Sequence, residues 1–203
     1  MQHIQIIAEA GVNHNGSIEL AKRLIDKAVY AEVDYIKFQT FKAELGISKA
    51  AKKAQYQAEN TGNEDESQYD MIKKLELSFD DFSELKMYCE KNNIGFLSTG
   101  FDIPSLEFLY KMNIDFFKIP SGEITNKPYL EYIAQKGKSL ILSTGMANIN
   151  EVRDAFDILI SGGLKKEQIS ILHCNTEYPT PMEDVNLKAM HHIRDEFGVK
   201  IGY

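Results

Sequence analysis

The feature that most constrains the fold is a regular recurrence of short apolar runs along the 203 residues. Runs of strand length begin near residues 4, 35, 95, 116, 139, 169 and 199, and most repeats are 21–31 residues long. Segments with helical periodicity lie between them, at 17–31, 80–92, 104–112, 126–136, 149–161 and 187–197. Apolar strands that alternate with helices indicate a parallel sheet covered by helices. The spacing predicts an α/β fold, a (β/α)₈ barrel with about seven strands in this sequence and the eighth unit expected after Tyr203.

An open doubly wound sheet is the main competitor for the fold. Its usual G-x-G-x-x-G turn after the first strand does not match "AEAGVNHNGS" at 8–17. The "GKS" at 137–139 lacks the upstream glycine of a P-loop and leads into a strand, so it is not a nucleotide motif. The connection at 40–79 is much longer than the others, and in a barrel it would lie over the carboxyl ends of the strands.

Composition narrows the classes of partner. The net charge of −7 argues against nucleic-acid binding, which usually needs a basic surface. No run approaches the ~18 apolar residues of a membrane span, and the N-terminus lacks a signal-peptide core. Cys89 and Cys174 suggest neither a disulfide framework nor a metal pair. A cytoplasmic protein without nucleic-acid or membrane partners is therefore expected.

Two lysines lie where strands are predicted to end, Lys37 in the second strand and Lys118 in the fourth. A single lysine in a strand is usually at an edge, but two in one parallel sheet predict an anion site, because a buried charge needs a partner. Ser-Thr-Gly occurs after two other strands, at 98–100 and 143–145, and supplies hydroxyl and N–H donors suited to phosphate. These residues favour an enzyme that acts on a phosphorylated or carboxylated small molecule.

Two glutamates at the same predicted edge have two interpretations. Glu9 and Glu123 are either acid/base groups and binders of a polar substrate, or salt-bridge partners of the lysines. His14 and His173 are isolated histidines, which are more often structural than metal ligands. The residues alone predict no metal site and no particular reaction.

Six stretches, taken together and in order, resemble the sialic acid synthase family: "IIAEAGVNHNGS", "IKFQTF", "FLSTGFD", "FKIPSGEITN", "ILSTGMA" and "LHCNTEYPTP". These enzymes condense phosphoenolpyruvate (PEP) with an N-acylated amino sugar of the mannosamine type, and they release phosphate by C–O cleavage to give a nonulosonate. The resemblance implies a (β/α)₈ barrel followed by a C-terminal antifreeze-like domain that completes the partner's active site in a homodimer. In that reading, residues 1–203 are the barrel domain, truncated before its last β/α unit and without the C-terminal domain.

The resemblance also implies roles for individual residues. Those matching PEP-binding positions are Lys37, Thr99, Lys118, Ser121, Ser143 and Asn175, with Thr176 left open as the alternative to Asn175. Those matching sugar-binding positions are Gln39, Asn63 and Tyr178. Glu9 and Glu123 are the implied catalytic pair, with Glu9 holding sugar hydroxyls and Glu123 near the reacting carbons.

The family uses a divalent metal, usually manganese with magnesium as the alternative, held by two histidines that are expected beyond Tyr203. "KFQTFKAE" and "PSGEITN" resemble bacterial N,N'-diacetyllegionaminate synthases, and "VNHNG" argues against the pseudaminic acid branch. Two other readings stay open. One is another PEP-using barrel synthase or aldolase, and the other is an inactive, truncated barrel fragment.

Overall fold

The computed structural model describes residues 3–48, 67–177 and 180–203. Parallel strands form two sheets, one of three strands in the order β1-β2-β3 and one of four in the order β4-β5-β6-β7. Their bounds are β1 Ile7–Gly11, β2 Tyr35–Thr40, β3 Gly95–Gly100, β4 Phe117–Ile119, β5 Leu140–Ser143, β6 Ile169–Leu172 and β7 Lys200–Gly202. The α/β class and the alternation of strands and helices agree with the prediction.

Helices connect the strands within the described ranges. They are α1 Ile18–Tyr30, α2 Ala43–Gly46, α3 Gln68–Lys73, α4 Phe79–Lys91, α5 Ile103–Lys111, α6 Lys127–Gln135, α7 Ile149–Ser161 and α8 Ala189–Phe197. Helix α1 illustrates why they form: the Ser17 hydroxyl accepts from the Leu20 N–H (3.3 Å), and Ala21, Ile25 and Ala28 are buried. None of the helices in the described part of the chain is long and apolar enough to cross a bilayer.

The chain divides into two compact units, Met1–Met112 and Asn113–Tyr203. The first contains β1 to β3, and the second contains β4 to β7. In β2 the side chains alternate, with Ile36, Phe38 and Thr40 buried on one face and the intervening residues half-buried on the other. All residues of β4 and β5 are buried, as expected for strands covered on both faces.

The position of the first strand was predicted incorrectly. The sequence indicated residues 4–8, whereas β1 runs from Ile7 to Gly11. Ile4 and Ile6 are 80% and 54% exposed, and the pairing with β2 starts at Ile7 opposite Tyr35. Glu9, which was predicted at the end of this strand, therefore lies in its middle.

The long connection between β2 and β3 contains the short helices α2 and α3. Glu76 links its two halves, because its carboxylate accepts from the Ala43 N–H (3.0 Å) and from Lys42 Nζ (3.2 Å) and Lys73 Nζ (3.0 Å). These hydrogen bonds hold the pKa of Glu76 below its ordinary value, although burial acts in the opposite direction and is the largest single influence. The lysine-rich and acidic stretches of this connection, and Asn63 within it, lie outside the described residues.

Candidate active site

One group of predicted site residues lies in the first unit, on one face of its sheet. We call it the Glu–Lys cluster, and its members are Glu9, Lys37, Gln39 and Thr99. In the parallel pairing Glu9 lies opposite Lys37, and Gln39 lies opposite Thr99. Residues that alternate along a strand point to one face, so these four side chains share a face.

The two charged members of the cluster form an ion pair, Lys37 Nζ with Glu9 Oε2. The Lys37 side chain is 13% exposed and that of Glu9 is 40% exposed. Glu9 therefore forms a salt bridge with one of the lysines, which was one of its two predicted roles. The salt bridge does not exclude substrate binding, because a carboxylate has several acceptor positions and this one is open to solvent.

An irregularity in β1 brings these polar groups together. The pairing with β2 shifts between Glu9 and Gly11, which places one extra residue in β1. Gly11 has φ +54°, and a Cβ built there would lie 3.2 Å from Glu9 Oε1 and 3.5 Å from Gln39 Nε2. Glycine is favoured at this position because the backbone conformation is left-handed and two polar side chains approach it closely.

The first Ser-Thr-Gly turn divides its hydroxyls between the two faces of the sheet. Thr99 lies on the face of the Glu–Lys cluster and is 1% exposed. Ser98 points to the other face, where its hydroxyl lies 2.7 Å from that of buried Thr40. Only Thr99 therefore lies on the face predicted to bind a ligand.

The second group lies in the other unit, and we call it the Lys–hydroxyl cluster: Lys118, Ser121, Ser143 and Thr176. Lys118 is 8% exposed, and its ammonium donates to Ser143 Oγ (2.6 Å) and to the Ile119 carbonyl (3.1 Å). Lys118 pairs with Ile141 in β5, so Ser143, two residues further, lies on the same face. A buried ammonium beside a hydroxyl at the end of a strand is suited to binding an anion.

A glycine gives the Lys–hydroxyl cluster its compact geometry. The Gly145 N–H donates to Ser121 Oγ (2.9 Å). A Cβ on Gly145 would lie 2.8 Å from Thr176 Cγ2 and 2.9 Å from Ser121 Oγ. Sequence reasoning missed both Gly145 and Gly11. Each was interpreted as part of a turn motif. Gly11 is the last residue of β1 and Gly145 follows β5, and a glycine at such a position is a signal of close backbone approach.

Asn175 and Thr176 have different surroundings. Asn175 Nδ2 donates to the Asp184 carbonyl (3.4 Å), whereas Thr176 lies against Gly145. Thr176 therefore lies beside Ser121 at Gly145, whereas the Asn175 amide is bound to the Asp184 carbonyl. Tyr178, the other residue predicted in this loop, lies outside the described residues.

Glu123 ends the short 3-10 helix Ser121–Glu123. Its Oε2 accepts from Asn126 Nδ2 (2.6 Å), and Asn126 also caps α6 by accepting from the Tyr129 N–H (3.3 Å). This side chain is only partly buried. Its carboxylate is thus positioned by the start of α6 and has a free face for further interactions.

The cysteines differ in their surroundings. Burial raises the pKa of the Cys89 thiol to about 12, so little of the thiolate forms near neutral pH. Cys174 follows β6, and its Sγ donates to Ser143 Oγ (3.4 Å). A cavity of about 390 Å³ opens beside it, lined among others by Thr144, His173, Cys174, Asn175 and Thr176. A larger groove of about 680 Å³ runs along α6 and α7, but it contains none of the predicted site residues.

The second unit offers a direct test of the close approach at Gly145. If this cluster binds the PEP that the resemblance implies, Gly145→Ala should weaken that binding about tenfold, because the new methyl group displaces Ser121 and Thr176. KM for PEP and the thermal unfolding midpoint of the intact protein would be measured together. Gly46→Ala is the matched control, since a Cβ there meets no atom within 4 Å. An unchanged KM in Gly145→Ala would show that this approach is not part of the binding site.

Comparison with known proteins decides the family. Residues 24–203 match the NeuB family. The chain belongs to the NeuB family. This NeuB-family chain is 52% identical over 203 residues to N,N'-diacetyllegionaminic acid synthase from Campylobacter jejuni, covering 100% of this chain and 60% of the relative. It is 47% identical over 200 residues to the enzyme of the same name from Legionella pneumophila, covering 98% and 56%. The family expected from the six stretches is thus confirmed.

A solved structure has the same α/β fold. The N-acetylneuraminic acid synthetase of Leptospira borgpetersenii, crystallised with citrate, superposes with a TM-score of 0.84 at 34% identity. The superposition covers 100% of this chain and 65% of that one. The chain described here therefore spans less than two thirds of the length of the relatives that it matches.

Proposed function

We propose that this chain carries out the PEP-binding part of a nonulosonate synthesis, in which PEP condenses with an N-acetylated amino sugar and phosphate is released. The observation that carries the proposal is the buried Lys118 ammonium held against Ser143, in a chain of the NeuB family. The curated relatives at 52% and 47% identity are both synthases of this type. The nonulosonate is, by the same similarity, N,N'-diacetyllegionaminic acid.

The Lys–hydroxyl cluster supplies the anion site in this proposal. Lys118 neutralises charge on PEP, and the hydroxyls of Ser121, Ser143 and Thr176 donate to its oxygens. The Ser143 hydroxyl already accepts from Lys118, so its own proton is available to a ligand oxygen. Lys37 and Thr99 are proposed, from the resemblance, to bind the same substrate.

The acceptor sugar is assigned to Glu9 and Gln39, which lie beside each other in the Glu–Lys cluster. The C3 methylene of PEP attacks the aldehyde carbon of the open-chain sugar, and the aldehyde oxygen takes up a proton. Water then adds to C2 and loses a proton, and the C–O bond to phosphate breaks as the C2 ketone forms. Glu123, whose carboxylate is held by Asn126, is proposed to act as the general acid and base at C2 and C3.

The divalent metal implied by the resemblance is expected on two histidines beyond Tyr203, and not on the residues at hand. Among those that the structure describes, no group of three or more His, Cys, Asp and Glu side chains could hold a metal ion. If bound at those two histidines, the metal would act as a Lewis acid on the aldehyde of the sugar. Closure of the strands into one (β/α)₈ barrel, an eighth β/α unit, the C-terminal domain, the homodimer and a cytoplasmic location remain predictions from the resemblance.

The proposal is tested by supplying the intact protein with PEP, manganese and a panel of sugars. Phosphate release and product mass should both depend on an N-acetylated, unphosphorylated sugar, with a 2,4-diacetamido-trideoxy-mannose preferred over N-acetylmannosamine. Phosphate release that requires a phosphorylated aldose would instead identify another PEP-using barrel synthase. Failure of every sugar with a correctly folded protein would favour the inactive fragment.

A further inference from the structure

The connection between β1 and α1 contains one buried side chain. Of residues 12–16, only His14 is buried, at 0% exposure, and it stands between the exposed Asn13 and Asn15. The two residues that follow it adopt left-handed conformations, with φ +49° at Asn15 and +75° at Gly16. A polar connection of this kind depends on a few specific contacts for its shape, and His14 is placed to provide them.

The hydrogen bonding of His14 defines its tautomer. The Gly16 N–H donates to His14 Nδ1 (3.1 Å), so Nδ1 is an acceptor and the ring proton lies on Nε2. Burial lowers the pKa of His14 below its ordinary value, which favours the neutral ring that this hydrogen bond requires. His14 Nε2 is buried and makes no hydrogen bond with any residue in the described ranges. The ring therefore acts through Nδ1 and through packing.

Two contacts connect His14 to the Glu–Lys cluster. The first runs along the chain, since this connection begins directly after Gly11, whose backbone approaches Glu9 and Gln39. The second runs through Phe38, whose ring centroid lies 6.2 Å from that of His14. Phe38 lies between Lys37 and Gln39 on the opposite face of β2, so a change in its packing shifts both of those residues.

The same hydrogen bond also fixes Gly16 against the long connection that follows β2. A Cβ on Gly16 would lie 2.3 Å from the Lys74 carbonyl oxygen, so the two backbones are in direct contact. Lys74 directly follows α3 and is two residues from Glu76, which links the two halves of that connection. Release of Gly16 from His14 would therefore loosen a second connection as well.

We propose that His14 is a positioning residue, which holds Glu9 and Gln39 in place for the acceptor sugar through the Gly16 hydrogen bond and the packing on Phe38. The assignment of the sugar to these residues rests on the proposed function. The positioning itself does not, because it concerns contacts within the protein.

Two substitutions separate the hydrogen bond from the packing. His14→Asn keeps an acceptor oxygen near the place of Nδ1 and cannot become protonated, whereas His14→Phe fills the volume without an acceptor. His14→Phe is expected to raise KM for the sugar about tenfold, because the Gly16 hydrogen bond is lost. Its ring keeps the packing on Phe38, and with it the position of Lys37, so KM for PEP should change less than about twofold. His14→Asn is expected to stay within about threefold of the original sugar KM.

Two further measurements need no substrate. Amide exchange at Gly16 should be about tenfold faster in His14→Phe, and near the original rate in His14→Asn. In the unsubstituted protein, nitrogen NMR of the imidazole should show the neutral ring with its proton on Nε2. Asn13→Ala, an exposed neighbour, is the control and should change neither exchange nor KM.

The outcomes distinguish the positioning role of His14 from a general effect on stability and from the proposed function. A proton on Nδ1, or unchanged Gly16 exchange in His14→Phe, would overturn the positioning role even if the enzyme makes the expected product. Equal rises of both KM values would assign His14 to general stability instead. If the NMR and exchange results are as expected but no sugar is a substrate, the positioning stands and the proposed function fails.

Discussion

Lys118→Ala is expected to raise KM for PEP at least about 30-fold, because the loss of one partner from a buried charged contact costs about 2–5 kcal/mol. Lys118 is 8% exposed and donates to Ser143 Oγ, so neither water nor another side chain can easily replace its ammonium. KM and kcat of the intact protein would be measured over a range of PEP concentrations, with the sugar at saturation.

Lys138→Ala is the matched control for this substitution. Lys138 is in the same unit, and its ammonium donates to Asn113 Oδ1 (2.8 Å) at the surface. Its removal should change KM for PEP less than about twofold, since exposed contacts contribute little. Lys118 would be removed from the anion site if its alanine variant folded normally and kept the original KM for PEP.

Substitution of the Glu9–Lys37 pair is expected to separate the two substrates. Glu9→Gln should raise KM for the sugar about tenfold, because a neutral amide accepts more weakly than a carboxylate. Lys37→Met should raise KM for PEP by about 30-fold, since a side chain that is only 13% exposed loses its charge. Initial rates with each substrate varied in turn would give both KM values for each variant.

The pair could instead be a structural ion pair only. In that case both variants would lower the thermal midpoint by similar amounts and leave the two KM values unchanged. Lys22 and Glu84, which form an ion pair at 2.7 Å in the same unit, provide the comparison. Lys22→Met and Glu84→Gln should affect neither KM, because this pair lies on helices α1 and α4.

Much of the fold could be predicted from local sequence signals. The start of α1 follows from Ser17 and that of α7 from Asn148, because each side chain accepts hydrogen bonds from the first turn of its own helix. The strand β1 could not be placed in the same way. Its start depends on pairing with Tyr35, almost thirty residues away, and the apolar Ile4 and Ile6 before it remain exposed.

The candidate site was predictable in part. Lys37 and Lys118 could be proposed because a charge in an apolar strand is unusual. The different surroundings of Asn175 and Thr176 were not available from the sequence, since they depend on where the Asp184 carbonyl and Gly145 lie. The contributions of Gly11 and Gly145 were missed for the same reason, because the effect of an absent side chain depends on which atoms lie beside the backbone.

The two Ser-Thr-Gly copies carry a consequence for protein engineering. In β3 the threonine hydroxyl, that of Thr99, lies on the functional face, whereas at β5 it is the serine hydroxyl, that of Ser143. The letters are identical, but the copies are out of phase by one residue relative to the strands that carry them. Transplanting one copy in register with the other would therefore turn the Thr99 or Ser143 hydroxyl to the opposite face of its sheet.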